Sequence, residues 1–324
     1  MLTRALRHLD GPALATASCA NVHLRSLASQ TDLWCDLCLA TWPALHHPRL
    51  LRLLSFFPNS YRSFFSDAFP SPSPLTVIPP VAGDDEASLP SELISAVDLR
   101  HRGSSILSRV LETDTSTAWF RGAHFRLDAL DPKDSSLPTL PAAATPEDLT
   151  LNWIFIDPQR RRAVRATSQR PVAIDRHWIT GETLVRFATV LGDGCAIGVV
   201  ATCVEDTGQV REVSLTAECV DGVCLSGRDG LAVLRAAMEG SRRREEAEEA
   251  ERSRWEEFSG LRMRRKEALS RREQMVDLAC AAVVRIARSG RNPEHQNRED
   301  VGGSLLTSLS HLDLCSYLSR PLCT

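Results

Sequence analysis

The residues best suited to metal chemistry are Cys35, Cys38, His46 and His47, because thiolate and imidazole are the groups a tetrahedral zinc ion takes. The Cys-x-x-Cys step suits half a site, but adjacent histidines rarely close on one ion and the spacing fits no standard finger. The pair also lacks the strand-to-helix setting of a redox dithiol, so both are expected to be ordinary thiols. Gly192-Asp193-Gly194-Cys195-Ala196-Ile197-Gly198 has the glycines of a dinucleotide loop, with the last interval one residue too long and no helix to meet a phosphate; a hairpin turn is expected. Arg160-Arg161-Arg162, with Arg165 and Arg170, could touch phosphate or an acidic peptide, and a solvated turn is the simpler reading. His177-Trp178 has no serine or cysteine nucleophile at a recognisable offset, and is read as a strand pair with Trp178 in the core. No catalytic residues, metal ligands or cofactor are expected, and the chain is not read as an enzyme.

Binding chemistry is a stronger signal, and it begins at Met1. Leu2, Leu6 and Leu9 fall at helical spacing, and Asp10-Gly11-Pro12 then breaks the chain and opens a new helix. Leu14, Ala17, Ser18, Val22, Leu24, Arg25 and Leu27 form the next stripe, up to Ser29-Gln30-Thr31-Asp32. Thr31 or Asp32 is expected to cap a third helix carrying Leu33, Trp34, Leu37 and Leu39, closed by Trp42-Pro43. Three helices in about forty residues cannot bury that much leucine and indole unaided. Another surface must cover them.

The run Leu-x-x-Ala-Leu-x-x-Leu-Asp-Gly-Pro-x-Leu from Leu2, then Ala17-Ser18-Cys19-Ala20, Leu24-x-x-Leu27-Ala28-Ser29 and Leu33-Trp34-x-Asp36-Leu37-Cys38, resembles a plant F-box over Leu2 to Trp42. The resemblance implies a substrate-receptor subunit of an SCF-type cullin-RING ubiquitin ligase. Such a subunit docks on a Skp-type adaptor and, through it, cullin, and recruits a protein target. By motif position, Leu6, Leu9, Leu14, Leu33, Trp34 and Leu37 would stand at or just behind the adaptor interface, where a large aromatic commonly anchors binding. F-boxes usually open with a Leu-Pro pair, whereas Met1-Leu2-Thr3 falls inside the first helix, which is therefore expected to be truncated. The segments beginning at Leu89-Pro90-Ser91-Glu92, Trp153-Ile154-Phe155 and Arg176-His177-Trp178 resemble the body of a group of plant F-box proteins, to about Leu234, and imply architecture only.

The expected fold is α+β and multidomain: a short three-helix F-box over 1–45, a helical bridge over 46–69, a Pro/Ser-rich linker over 70–88, an antiparallel β-rich body over 89–228, a long charged helix over 229–288 and a weakly ordered tail over 289–324. Strand signals fall at Ser95–Arg100, Ala118–Ala129, Leu151–Asp157, Ala163–Thr167, Val172–Trp178, Leu184–Leu191, Ala196–Val204 and Val213–Cys219. In the charged helix, Arg242 with Glu246, Arg244 with Glu248 and Glu248 with Arg252 would add about 0.2 to 0.5 kcal/mol each. Its later apolar edge, from Trp255 to Val283, could support a homodimer.

A net charge of −3 across 324 residues gives no field for nucleic acid or an anionic membrane. The longest apolar stretch, Cys195 to Val204, is well short of the roughly 18 residues of a span. Ten dilute cysteines, no recognisable signal peptide and no Asn-x-Ser/Thr site lead to reduced thiols and the cytoplasm or nucleus as the expectation. Two other function classes fit less of the chain: an interaction protein with a vestigial head and a helix-mediated dimer, and a small-ligand-binding sandwich.

Overall fold

The computed structural model describes residues 2–75, 88–134, 136–141, 144–192, 194–243 and 248–289. The amino-terminal helices are α1 (Leu2–Leu6), α2 (Gly11–Ala20), α3 (Val22–Ala28) and α4 (Thr31–Thr41). Asp10 caps α2 by accepting from the Ala13 amide at 2.8 Å, and Pro12 sits in the first turn, where a missing N–H costs nothing. The helix expected from Leu14 to Leu27 is divided at Asn21. That residue is extended (φ −160°), and its side-chain oxygen takes the Leu24 amide at 2.8 Å, so a local bond displaces one helical turn. Gln30 precedes α4 with no side-chain cap, and Thr31 and Asp32 form its first turn instead. A 3-10 turn over Pro43–His46 leads to α5 (Pro48–Ser55) and α6 (Tyr61–Ala68), the expected bridge.

The body holds β1 (Glu92–His101), β2 (Ser104–Asp114), β3 (Arg126–Leu130), β4 (Leu149–Asp157), β5 (Arg162–Arg165), β6 (Ala173–Arg176), β7 (Thr183–Val190), β8 (Cys195–Cys203) and β9 (Val210–Cys219). Among the described residues every pairing is antiparallel, in a first sheet β2-β1-β4-β5 and a second sheet β3-β9-β8-β7-β6. The chain is thus α+β, as expected. The strand expected over Ala118–Ala129 is half helix: Thr117 caps α7 (Ala118–Gly122), accepting from the Phe120 amide at 3.2 Å, before β3 begins. β2 was not anticipated, because this edge strand mixes polar and apolar residues on both faces.

Period-two alternation divides the faces of β1. Leu93, Val97 and Leu99 join Trp153 and Phe155 of β4 and Phe187, Val199 and Leu215 of the second sheet in one core. Ile94 and Ala96, with Ile154 and Ile156 of β4, instead pack with Trp34, Trp42, Phe64 and Phe65. The helical head and the first sheet therefore share a core rather than standing as separate modules.

The single helix expected over 229–288 is interrupted. α8 (Gly227–Glu239) buries Leu231, Leu234 and Ala237 in the body core, so it belongs to the sheets and not to a charged rod. Ser241 to Arg243 are not helical, and the Arg242 guanidinium, which was expected to face Glu246, donates to the carbonyls of Asp67, Ala163, Ala237, Met238 and Gly240. Residues 244–247, with the expected Arg244 pairing, lie outside the described residues. α9 (Glu248–Ser289) then begins against the second sheet. Trp255 and Phe258 pack on Val172, Ala188, Ala196 and Val220, with the Arg186 guanidinium 5.5 Å over the Trp255 ring. Glu248 meets Arg170 at 3.2 Å, and Arg265 meets Asp221 at 2.6 Å. Residues from Ser270 onward make a second unit, whose described part continues the helix to Ser289 and exposes Met275, Leu278 and Val283. The expected tail lies outside the described residues beyond Ser289. Among the described residues, no helix is long and apolar enough to cross a membrane.

Candidate functional site

On the head, Leu6 of α1, Leu9 after it, Leu14 of α2 and Leu33 and Leu37 of α4 line one surface groove, together with Arg7, Asp36 and Ala40. Leu6, Leu14 and Leu33 form its buried floor, while Leu9 and Leu37 are partly exposed. Arg7 and Asp36, both well exposed, approach to 3.9 Å at the rim. Helical geometry sorts α4: residues 33, 37 and 40 share the groove side, and residues 34 and 38, one position on, turn inward. Trp34 is accordingly separated from the other predicted residues. It is 2% exposed, its ring lies 5.4 Å from that of Phe65, and its indole N–H donates to the Ala28 carbonyl at 2.7 Å. Trp34 braces the groove from behind. Arg7, Asp36 and Ala40 were missed by residue type, although Asp36 and Ala40 sit one turn and two turns from Leu33.

The Asp-Gly-Pro break has a packing reason as well. A Cβ on Gly11 would come within 2.0 Å of the Phe65 ring, so α2 can approach α6 only through glycine. A polar clamp holds this head to the sheet. The buried Asp98 carboxylate on β1 accepts from the Ala44 amide at 3.0 and 3.3 Å and from the Ser108 hydroxyl at 2.7 Å. Burial raises its pKa, opposed by those two hydrogen bonds and by Arg100 and His46. Arg49 bridges Glu92 and Glu112, and Asp67 takes Arg162 at 2.8 Å.

The groove offers shape and apolar surface, with Arg7 and Asp36 at its rim. The four zinc-type residues are not gathered. Cys38 is buried, donates its thiol to the Tyr61 carbonyl at 3.5 Å and has its pKa pushed well up by burial, whereas His46 and His47 are exposed. Among the described residues, no group of three His, Cys, Asp or Glu could hold a metal ion. The glycine run is the expected β7–β8 turn, with the Leu191 amide donating to the Cys195 carbonyl at 2.9 Å; Asp193 lies outside the described residues. Four arginines of the cluster are dispersed onto partners within the chain, Arg160 on Asp157, Arg162 on Asp67, Arg165 on Ser71 and Arg170 on Glu248, while Arg161 is exposed on the turn.

The expectation for His177-Trp178 is overturned. β6 ends at Arg176, and Trp178 is 88% exposed on the β6–β7 turn. The cause is the closure of 177–182 on itself: the His177 amide donates to the Glu182 carbonyl and the Gly181 amide to the His177 carbonyl, each at 2.8 Å, with Gly181 at φ +70°. No strand remains to carry Trp178 inward.

The chain has relatives over most of its length, all three from Arabidopsis thaliana. One, named a probable F-box protein, is 42% identical over 262 residues, which cover 78% of this chain and 77% of the relative. A second, named an F-box protein, is 33% identical over 304 residues, covering 86% and 88% respectively. A third with the same description is 36% identical over 270 residues, covering 74% and 71%. No family model matches the chain, and no solved structure does.

Proposed function

This chain belongs to the plant F-box family, and from that premise we propose that it is a non-catalytic substrate-receptor subunit of an SCF-type ubiquitin ligase. In this reading the head groove takes an apolar element of a Skp-type adaptor, the adaptor joins it to cullin, and the β-rich body holds a protein target. Transfer of ubiquitin would then gain from proximity, with no acid–base group supplied by this chain.

The observation that carries the reading is the convergence of Leu6, Leu9, Leu14, Leu33 and Leu37 on one groove. These residues come from separate turns of sequence and were expected at the interface from motif position alone. Truncating a well-packed anchor in such an interface costs about 2 kcal/mol or more. Trp34 is unsuited to the test, since its removal would disturb the core.

Capture of the full chain on an immobilised Skp-type adaptor provides the experiment. Leu9→Glu and Leu37→Glu place a charge at the partly exposed rim, and each is expected to abolish capture while leaving the melting temperature near that of the parent. Undiminished capture of both variants would overturn the reading.

A further inference from the structure

The β6–β7 turn is built for display. Trp178 and Ile179 are 88% and 68% exposed, and Ile174 on the neighbouring strand is also exposed. A tryptophan can bury about 150–250 Å² when covered, so leaving one in water forgoes a large contact. The turn beneath it is not loose. Besides the two backbone bonds already given, the Thr180 hydroxyl donates to Glu182 at 2.8 Å and lies 2.9 Å from His177 Nδ1, and Arg176 Nε donates to the Gly181 carbonyl at 3.2 Å. A rigid platform carrying an exposed indole lowers the ordering cost of binding.

Two further observations define what would cover it. Among the described residues β6 is the last strand of its sheet, paired only with β7, and a depression beside it is lined by Pro171, Val172, Ala173 and Ile174 together with one charge of each sign, Glu147 and Arg252. A strand edge with an adjoining depression suits an extended segment that adds to the sheet. The local charge is then decisive. Arg176 is neutralised by Glu205 and Arg211 by Glu182, which leaves the exposed carboxylates of Asp175 and Asp206 with no cation against them among the described residues. Lysine or arginine on the incoming segment would meet those carboxylates, and either cation can lie over the indole face.

We propose that the β6 edge and the Trp178–Ile179 turn form a recognition surface for an extended, basic protein segment with alternating apolar residues. That the bound protein is a ligase target rests on the receptor reading above; the binding itself does not.

Fluorescence anisotropy of the full chain with two labelled peptides of equal length, one alternating lysine with valine and the other glutamate with valine, tests the surface. The basic peptide is expected to bind and the acidic one not. Trp178→Ala should weaken binding at least tenfold and Asp175→Asn with Asp206→Asn severalfold, whereas Trp119→Ala, at another exposed tryptophan, should leave it unchanged. Failure of the basic peptide to bind, equal binding of the acidic one, or equal affinity in Trp178→Ala overturns the proposal. Adaptor capture, read on the same proteins, should be intact in Trp178→Ala; its loss in the parent would sink the receptor reading and leave this surface standing.

Discussion

The head and the β6–β7 turn handle indole in opposite ways. Trp34 is enclosed by Phe65, an Ala28 carbonyl and the guanidinium of Arg62 5.8 Å over its ring. Trp178 stands on a hydrogen-bonded turn with nearly all of its surface in water. In the head the aromatic supplies cohesion, and smaller leucines at the rim are left for contact. In the turn polar bonds supply cohesion, and the aromatic itself is left for contact. Rigidity is common to both, but the residue that creates it is not the residue that is offered.

Substitution should expose this inversion, most strongly at Trp34. Trp34→Ala removes a large side chain from a closed core and is expected to cost about 3 to 5 kcal/mol, read from chemical denaturation of the full chain. A loss well under 1 kcal/mol would mean the core is far looser than these contacts imply. Asp98→Ala comes next. It strands the Ala44 amide and the Ser108 hydroxyl, at an expected cost of about 1 to 3 kcal/mol. Asp98→Asn keeps an acceptor and relieves a buried charge, so it should lose clearly less; equal losses would show that the clamp depends on the charge.

A smaller effect should appear with alkali. Burial pushes the thiol of Cys195 up to about 12 and that of Cys203 up to about 11, against 9.0 for an ordinary thiol, and Cys38 is raised too. The native state then keeps protons that the unfolded chain releases, so stability should be level below about pH 9 and decline above it. Denaturation midpoints that stay level to about pH 10.5 would contradict this. The smallest change is expected at Trp178 itself, where alanine should alter stability by no more than about 0.5 kcal/mol.

Much of this architecture was legible in residue pattern. Asp10-Gly11-Pro12 marked a true helix start, and the alternation in β1, β4, β7, β8 and β9 marked true strands, because capping and one-sided burial act locally. Of the six expected adaptor-facing residues, Leu33 and Leu37 share a groove because helical spacing puts them on one side of α4, and Leu6, Leu9 and Leu14 join them because the tertiary fold brings α1, the turn after it and α2 alongside. Long-range competition was not legible. Asn21 looked like one more helical residue until its side chain took a backbone amide. Ser241 to Arg243 read as helix because two of the carbonyls that receive Arg242, those of Asp67 and Ala163, come from distant sequence. Trp178 read as core because hydrophobicity alone does not report whether a strand reaches that far.

The shared core of head and first sheet has a mechanical consequence. Since Ile94, Ala96, Ile154 and Ile156 clasp the helices directly, the covalent tether between Leu75 and Ser88 is not what keeps the two together. Severing the chain anywhere in 76–87 should yield fragments that still migrate as one particle. A load hung on the sheets would pull on the head as through a welded bracket, not a hinge.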